Sequence, residues 1–283
     1  MGEKTSLTPR YISTFAEEAM LNFESYMHYY TGMPGTIMHS GERNFGAFAG
    51  LNDIAYNAIV RSSMSRRDLL KSINEVQSIS EHLAVPVGWW IWPSTYPKNA
   101  EQILIERGFK LQQESSPWMV LKLIALPAEL SMPADFSIEL VHDDATLVEW
   151  LQTRHVAKGG QRDELDQDYI EFHTRERVWS GKPIQRYLGR LHGEPVATAE
   201  LFISQGGAGL YSVGAIPHVA REILEQTIVH YALKQAREQG CQIATVQATQ
   251  DNYAMYEHLG FHEVGRTSLL VWQPPVSGGA TEE

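Results

Sequence analysis

Cysteine is nearly absent from this chain. Cys241 is the sole one in 283 residues, which excludes an intrachain disulfide and a cysteine-based zinc site. Long apolar runs are missing too. The longest, Val87–Trp92, falls far short of the ~20 residues that span a bilayer, so neither a membrane span nor a membrane partner is expected. The opening MGEKTSLTPR has no apolar core of the signal-peptide kind, and the expected compartment is the cytoplasm. Positive charge is in deficit: 23 Lys and Arg against 34 Asp and Glu leave a net charge of −11. That argues against broad binding to nucleic acid or anionic membranes, although a local basic patch stays open. What is present suits a folded globular protein, with 43% hydrophobic and 20% charged residues and enough length for two domains.

One stretch organises the rest: GLYSVGAIPHVAREILEQTIVHYALKQAREQGCQIATVQATQDNYAMYEHLGF, from Gly209 to Phe261. A strand over Leu210–Ile216 is expected to stop at Pro217. A helix over roughly Ala220–Gln239 follows, with Leu224, Ile228, Tyr231, Ala232 and Gln235 on one face and Gly240 ending it. A second strand covers Cys241–Ala248, and a short helix runs from Asn252 to Leu259. A strand–helix–strand unit of this size makes a parallel pair with a right-handed crossover. Ligands of such sheets sit at the carboxyl ends of the strands, beside the helix start.

An earlier stretch repeats this order. VPVGWWIWPS, NAEQILIE, RGF and PWMVLKL parallel CQIATVQATQ, NYAMYEH, LGF and SLLVW, and Phe109 and Phe261 lie 152 residues apart. Two copies of one α/β unit follow from this. Five residues before each Phe stand Leu104 and Tyr256, so the first copy lacks the hydroxyl that the second offers. It is expected to be structural or to shape a substrate pocket. Upstream, an aromatic amphipathic helix is expected around Ser13–Tyr30, and a helix capped by Ser65 runs to about Leu83. The Pro-bearing ALPAELSMPADF, Ala125–Phe136, reads as a short ordered linker, and Gln273–Glu283 as a disordered tail.

SVGAIP with its helix, ATVQAT, and above all NYAMYEHLGF resemble the acyl-CoA-binding half of the GNAT N-acetyltransferase superfamily. RYLGRLHGEPVATAELFIS resembles that family's central hairpin, and the resemblance spans roughly Phe136–Trp272. With the weaker first copy it resembles a tandem GNAT protein. The implied fold is α/β (an α+β mixed sheet): two tandem GNAT-like domains, each a mixed sheet flanked by helices, over 1–127 and 128–273, with 274–283 as tail. The implied activity is N-acyl transfer, acetyl by default, from acetyl-CoA or another acyl thioester to a small-molecule amine, with no metal.

In the family two parallel strands splay and the pantetheine arm lies between them. The resemblance places Val213, Gly214 and Ala215 against that arm, with Arg221 and Asn252 as further contacts. Asn252 equally reads as a helix cap. Gly214, lacking a Cβ, eases close approach of a ligand or of neighbouring backbone. Tyr256 is the candidate catalytic acid for the leaving thiolate, because a phenol stays protonated at neutral pH. Glu200 is the candidate base, since a carboxylate on an otherwise apolar strand face has a raised pKa; an edge position pointing at solvent is the equal alternative. Tyr211, His173 and His218 are lesser candidates. Tyr211 and Trp89, the latter with Trp90 and Trp92, are candidates for an acceptor pocket at the domain interface, core packing being the other reading. His258 and His262 are four apart, but Gly260 breaks the helix between them, so no metal pair is expected.

One element departs from the family. Where it has an Arg/Gln-x-x-Gly-x-Gly/Ala loop around the CoA diphosphate, this chain has His218 to Glu225 without a glycine. Ile223 and Glu225 stand at the two glycine positions and Ala220 at the Arg/Gln. Carboxylates at Glu222 and Glu225 suit a helix start but repel a diphosphate by about 1 kcal/mol per charge pair, an effect Arg221 partly offsets. The donor is therefore open between free acyl-CoA, an acyl carrier protein with its pantetheine arm, and an aminoacyl-tRNA. A non-catalytic binding module is the remaining reading.

Overall fold

The computed structural model describes residues 9–275 except 34, 42, 129, 131, 176–182 and 218–219. His218 and most of the tail therefore lie outside the described residues. In chain order the elements are α1 (Pro9–Thr31), β1 (Ile37–Gly41), β2 (Asn44–Phe48), β3 (Asn57–Ser62), α2 (Arg66–Leu83), β4 (Val87–Ile91), α3 (Ala100–Glu106) and β5 (Lys110–Lys122). After these come β6 (Phe136–Leu140), α4 (Asp144–Ala157), α5 (Gln167–Arg175), β7 (Ile184–Leu191), β8 (Glu194–Ser204), β9 (Gly207–Ala215), α6 (Arg221–Glu238), β10 (Ile243–Gln247), α7 (Tyr253–His258) and β11 (His262–Trp272). Among the described residues no helix is long and apolar enough to cross a membrane.

The local signals act as chemistry demands. Ser65 caps α2 by accepting from the Asp68 amide, and Gly240 and Gly260 end α6 and α7 with φ of +87° and +96°. The internal repeat is real at the level of elements. β3–α2–β4–α3–β5 and β9–α6–β10–α7–β11 share one order, and α2 and α6 are both 18 residues long. In each copy the two strands around the long helix are parallel.

By contacts the chain forms two units that are not contiguous in sequence. Unit 1 is Met1–Phe23 with Pro117–Gly265; unit 2 is Glu24–Ser116 with Arg266–Glu283. This differs from a simple boundary at 127/128, and strand pairing gives the reason. In unit 1, β10 pairs antiparallel with Trp118–Lys122 of β5, a strand that follows the first copy in sequence. In unit 2, β4 pairs antiparallel with Ser268–Trp272 of β11, a strand that follows the second. Each copy's last strand serves the other copy's sheet.

In unit 1 the strand order is β5-β10-β9-β8-β7-β6. The sheet is mixed: β9 and β10 are parallel and the other neighbours antiparallel. Leu224, Ile228, Ala232 and Leu233 of α6 pack with Ala197, Ala199, Leu201 and Leu210. Alternation along β8 turns Thr198, Glu200 and Phe202 to the opposite face. There the Arg186 guanidinium lies 5.2 Å from the Trp150 ring of α4. In unit 2 the order β1-β2-β3-β4-β11 carries a core of Leu69, Ile73, Val76, Trp89, Ile103 and Phe109.

A chain cut at 127/128 should fail to fold as two separate halves. The fragment 128–283 alone leaves the buried edge of β10 without Trp118–Lys122. Circular dichroism and urea unfolding of that fragment should show no cooperative transition, whereas mixing both fragments restores one.

Candidate active site

The site is built by a parting of two strands. β9 and β10 are register partners only from Gly207/Ile243 to Leu210/Val246. Beyond that, β10 stays with β5 through Gln247↔Trp118, and the Ala248 amide donates to Pro117 O at 2.9 Å. β9 stays with β8 through Ala197↔Ala215. Toward their carboxyl ends β9 and β10 are thus no longer paired with each other, which leaves a gap in the ladder there.

β9 carries a β-bulge just past its last residue paired with β10. Thr198 registers with Gly214 but Glu200 with Tyr211, so Ala199 opposes both Ser212 and Val213. Bulges bend and twist the strand that carries them. Ser212 takes a left-handed φ of +51°, which a non-glycine residue adopts only when held. It is held: Thr198 Oγ1 donates to Ser212 O at 2.9 Å, and Arg154 Nε donates to Ser212 Oγ at 3.1 Å.

Backbone polarity then selects which amides face the gap. The Ile216 amide donates to Val196 O of β8 at 2.9 Å. Alternation turns the Ala215 amide the other way, into the gap. Its acceptor is Glu225 Oε1 at 3.1 Å, which also accepts from Arg221 Nε at 2.7 Å. Glu225 is 6% exposed. A side chain from the first turns of α6 thus fills the position that the resemblance reserves for the donor. Bonds to a charged acceptor contribute on the order of 1.5–3 kcal/mol each, so this plug is not a loose contact.

Tyr256, 1% exposed, completes the site from α7, its ring edge-on to Phe261 at 5.4 Å. Burial, then the Glu225 charge, pushes its phenol well above the usual range. Tyr256 belongs to the buried core of unit 1 and feels the Glu225 charge.

The remaining sequence candidates divide. Val213 and Ala215 line the parted stretch of β9. Gly214 lies there too, but the space left by its absent Cβ is used by Ala157 of α4, whose Cβ would be 3.0 Å away. Helix packing, not ligand approach, uses that glycine. Arg221 is committed to Glu225. Asn252 makes no side-chain cap bond to α7; its Oδ1 accepts instead from the Thr249 amide at 2.7 Å, shaping the loop after β10.

Glu200 is not on an apolar face. It is 1% exposed and accepts from Arg186 Nε at 2.6 Å. Arg186 is also 3.4 Å from His173 Nδ1, and Arg154 bonds Tyr169. Burial and these two arginines hold His173 well below its usual range. The expectation of an isolated carboxylate fails because Arg186 on β7 is its register partner. Tyr211 donates its hydroxyl to Asn22 Oδ1 at 2.8 Å and stacks on Phe23 at 6.2 Å, so it packs against the start of unit 1. Trp89 is fully buried in the unit 2 core, with Nε1 donating to Ser62 Oγ at 3.1 Å. The core reading holds for it.

Glu225 is the residue that sequence reasoning undervalued. A signal existed: Glu225 falls in phase with Ile228, Val229 and Ala232, all buried. An acid on the buried face of a helix calls for a partner.

Glu200→Gln should destabilise the fold by about 3 kcal/mol, because it leaves Arg186 buried and uncompensated. Urea unfolding checks this; an unchanged midpoint would return Glu200 to the list of free carboxylates.

No family model matches the chain, and no curated protein matches it. Solved structures do. A GCN5-related N-acetyltransferase from Kribbella flavida aligns with a TM-score of 0.65 at 16% identity, over 96% of this chain and 97% of that one. A tandem GNAT protein from the clavulanic acid biosynthesis pathway aligns at 0.55 and 12%, over 92% and 96%. A GCN5-related N-acetyltransferase from Sphaerobacter thermophilus aligns at 0.53 and 16%, over 82% and 81%. With a mixed sheet parted between two parallel strands and helices on both faces, this chain has the fold of the GCN5-related N-acetyltransferases.

Proposed function

We propose that the chain is an N-acyltransferase that moves an acyl group, acetyl by default, from a thioester to a small-molecule amine. The observation that carries this reading is the end of the β9–β10 ladder at Leu210/Val246, with Tyr256 buried on α7, the helix that follows β10. A pantetheine arm is thin and amide-bearing, and the Ala215 amide, which now donates to Glu225, suits it once Glu225 is displaced. The thioester supplies the acyl group. The amine nitrogen attacks its carbonyl carbon directly, the C–S bond breaks, and the thiolate leaves.

The protein's part is positioning and charge stabilisation. Holding both partners in line supplies several kcal/mol. Tyr256 acts as a hydrogen-bond donor to the departing sulfur rather than as a full acid. Its phenol is held far above a thiol of pKa ~8.5, so complete transfer runs uphill. Displacing Glu225 from its neighbourhood removes one of the two causes of that elevation. Glu200 is no base in this scheme; the amine enters neutral, and the proton its nitrogen sheds as the amide forms passes to water, from which the thiolate is reprotonated.

Glu225 favours a second reading of the donor. A diphosphate at the start of α6 would meet a buried carboxylate already bonded to the amide and the arginine it needs. Glu222 adds a second negative charge in that first turn. A carrier-bound arm brings no adenosine diphosphate to this spot.

Mass-spectrometric screening of amines with acyl-CoAs and with acylated pantetheine should yield an N-acylated product. Tyr256→Phe should lower its rate by about a hundredfold with little change in stability. An absence of product from every thioester would sink the proposal. Calorimetry separates the donors. Wild type should bind CoA no tighter than pantetheine, while Glu225→Gly should gain about tenfold for CoA and little for pantetheine. Tight CoA binding by the wild type would remove the carrier reading.

A further inference from the structure

Unit 1 holds a second concavity, a cavity of about 900 Å³. It opens at the amino ends of β9 and β10, where Gly207 and Ile243 register, while the gap opens at their carboxyl ends. Its size is that of a site for a small organic ligand.

Two polar atoms in its lining are buried without any hydrogen-bond partner: Glu18 Oε2 and Thr245 Oγ1. Thr245 is 1% exposed in the middle of the sheet. The two share a wall. The Asn22 amide occupies the space that a Cβ on Gly209 would need, and Gly209 is the register partner of Thr245. Glu18 lies one turn of α1 before Asn22. With a pitch of ~5.4 Å and a strand spacing of ~4.8 Å, Glu18 and Thr245 face the same volume.

Burial raises the Glu18 pKa, and among the described residues no ion pair is formed by its carboxylate. Two cations also line the cavity without pairing to Glu18: Lys122 Nζ stands 5.7 Å from the Phe15 ring centroid, and Arg237 donates to Leu126 O at 3.4 Å. A half-buried carboxylate and a buried hydroxyl, both unpaired, are costly unless a ligand completes them. An ammonium head group has three donors and the right charge. An anion would meet Glu18, and a neutral apolar molecule would leave both groups orphaned. Leu21, Ile124 and Ile243 provide apolar surface beside them.

We propose that this cavity binds an organic ammonium compound, its head group between Glu18 and Thr245 and its apolar body along Leu21, Ile124 and Ile243. The site is separate from the gap and does not depend on acyl transfer there.

The probes are phenethylammonium, 2-phenylethanol and 3-phenylpropionate, titrated into the full chain at neutral pH by calorimetry. Phenethylammonium should bind about tenfold more tightly than the alcohol, and the carboxylate not measurably. Glu18→Gln should remove that tenfold advantage, and Thr245→Val should weaken the ammonium several-fold. Glu18 is a half-buried helix position, so Glu18→Gln should keep the wild-type circular dichroism and unfold at a slightly higher temperature, having lost an uncompensated charge. Equal affinity for ammonium and alcohol, undiminished ammonium binding in Glu18→Gln, or no saturable binding at millimolar concentration would each overturn the proposal. Ammonium binding that survives Glu18→Gln would place the amine in the gap instead.

Discussion

The structure of unit 1 depends on one local constraint, the bulge at Ser212–Val213. Two residues of β9 stand opposite one of β8, so the strand bends away from β10 just after Leu210. The bulge lies just beyond the last residue of β9 that pairs with β10. The left-handed Ser212 is maintained by Thr198 within the sheet and by Arg154 from α4. A helix packed on one face of the sheet thereby helps to hold the bent stretch of β9.

The same polar network accounts for Glu200. Arg154, Tyr169, His173, Arg186 and Glu200 form a buried cluster between the sheet and the helices α4 and α5. Breaking such a cluster strands charges in a low-dielectric interior. Its position next to the bulge makes it a support of the site rather than a member of it. This is the physical reason that a carboxylate of the expected type, on the expected strand, takes no part in the proposed chemistry.

Glu225 is the most informative departure. A glycine at that position would leave room at the start of α6, but a glutamate has the reach to turn back onto β9. It accepts from the Ala215 amide and from Arg221, and its charge helps keep the Tyr256 phenol protonated. One side chain thus couples the donor position, the helix start and the candidate acid. Any donor that uses the Ala215 amide must displace it, so the identity of the donor is bound up with the cost of moving one carboxylate.

Much of this was legible from residues alone. The element order from β9 to α7, the Ser65 cap, the helix-ending Gly240 and Gly260, and the repeat all rest on local rules that act over a few residues. So did the missing glycines, since composition at a turn needs no fold to be read. Three-dimensional pairing decided the rest. Which copy's sheet receives β5 and β11, whether Ala157 or a ligand uses the room at Gly214, and that Arg186 finds Glu200 all depend on partners far apart in sequence. The parting of β9 and β10 belongs to that second class. It arises from a register offset between β8 and β9, and a register is a property of two strands together, which neither carries by itself.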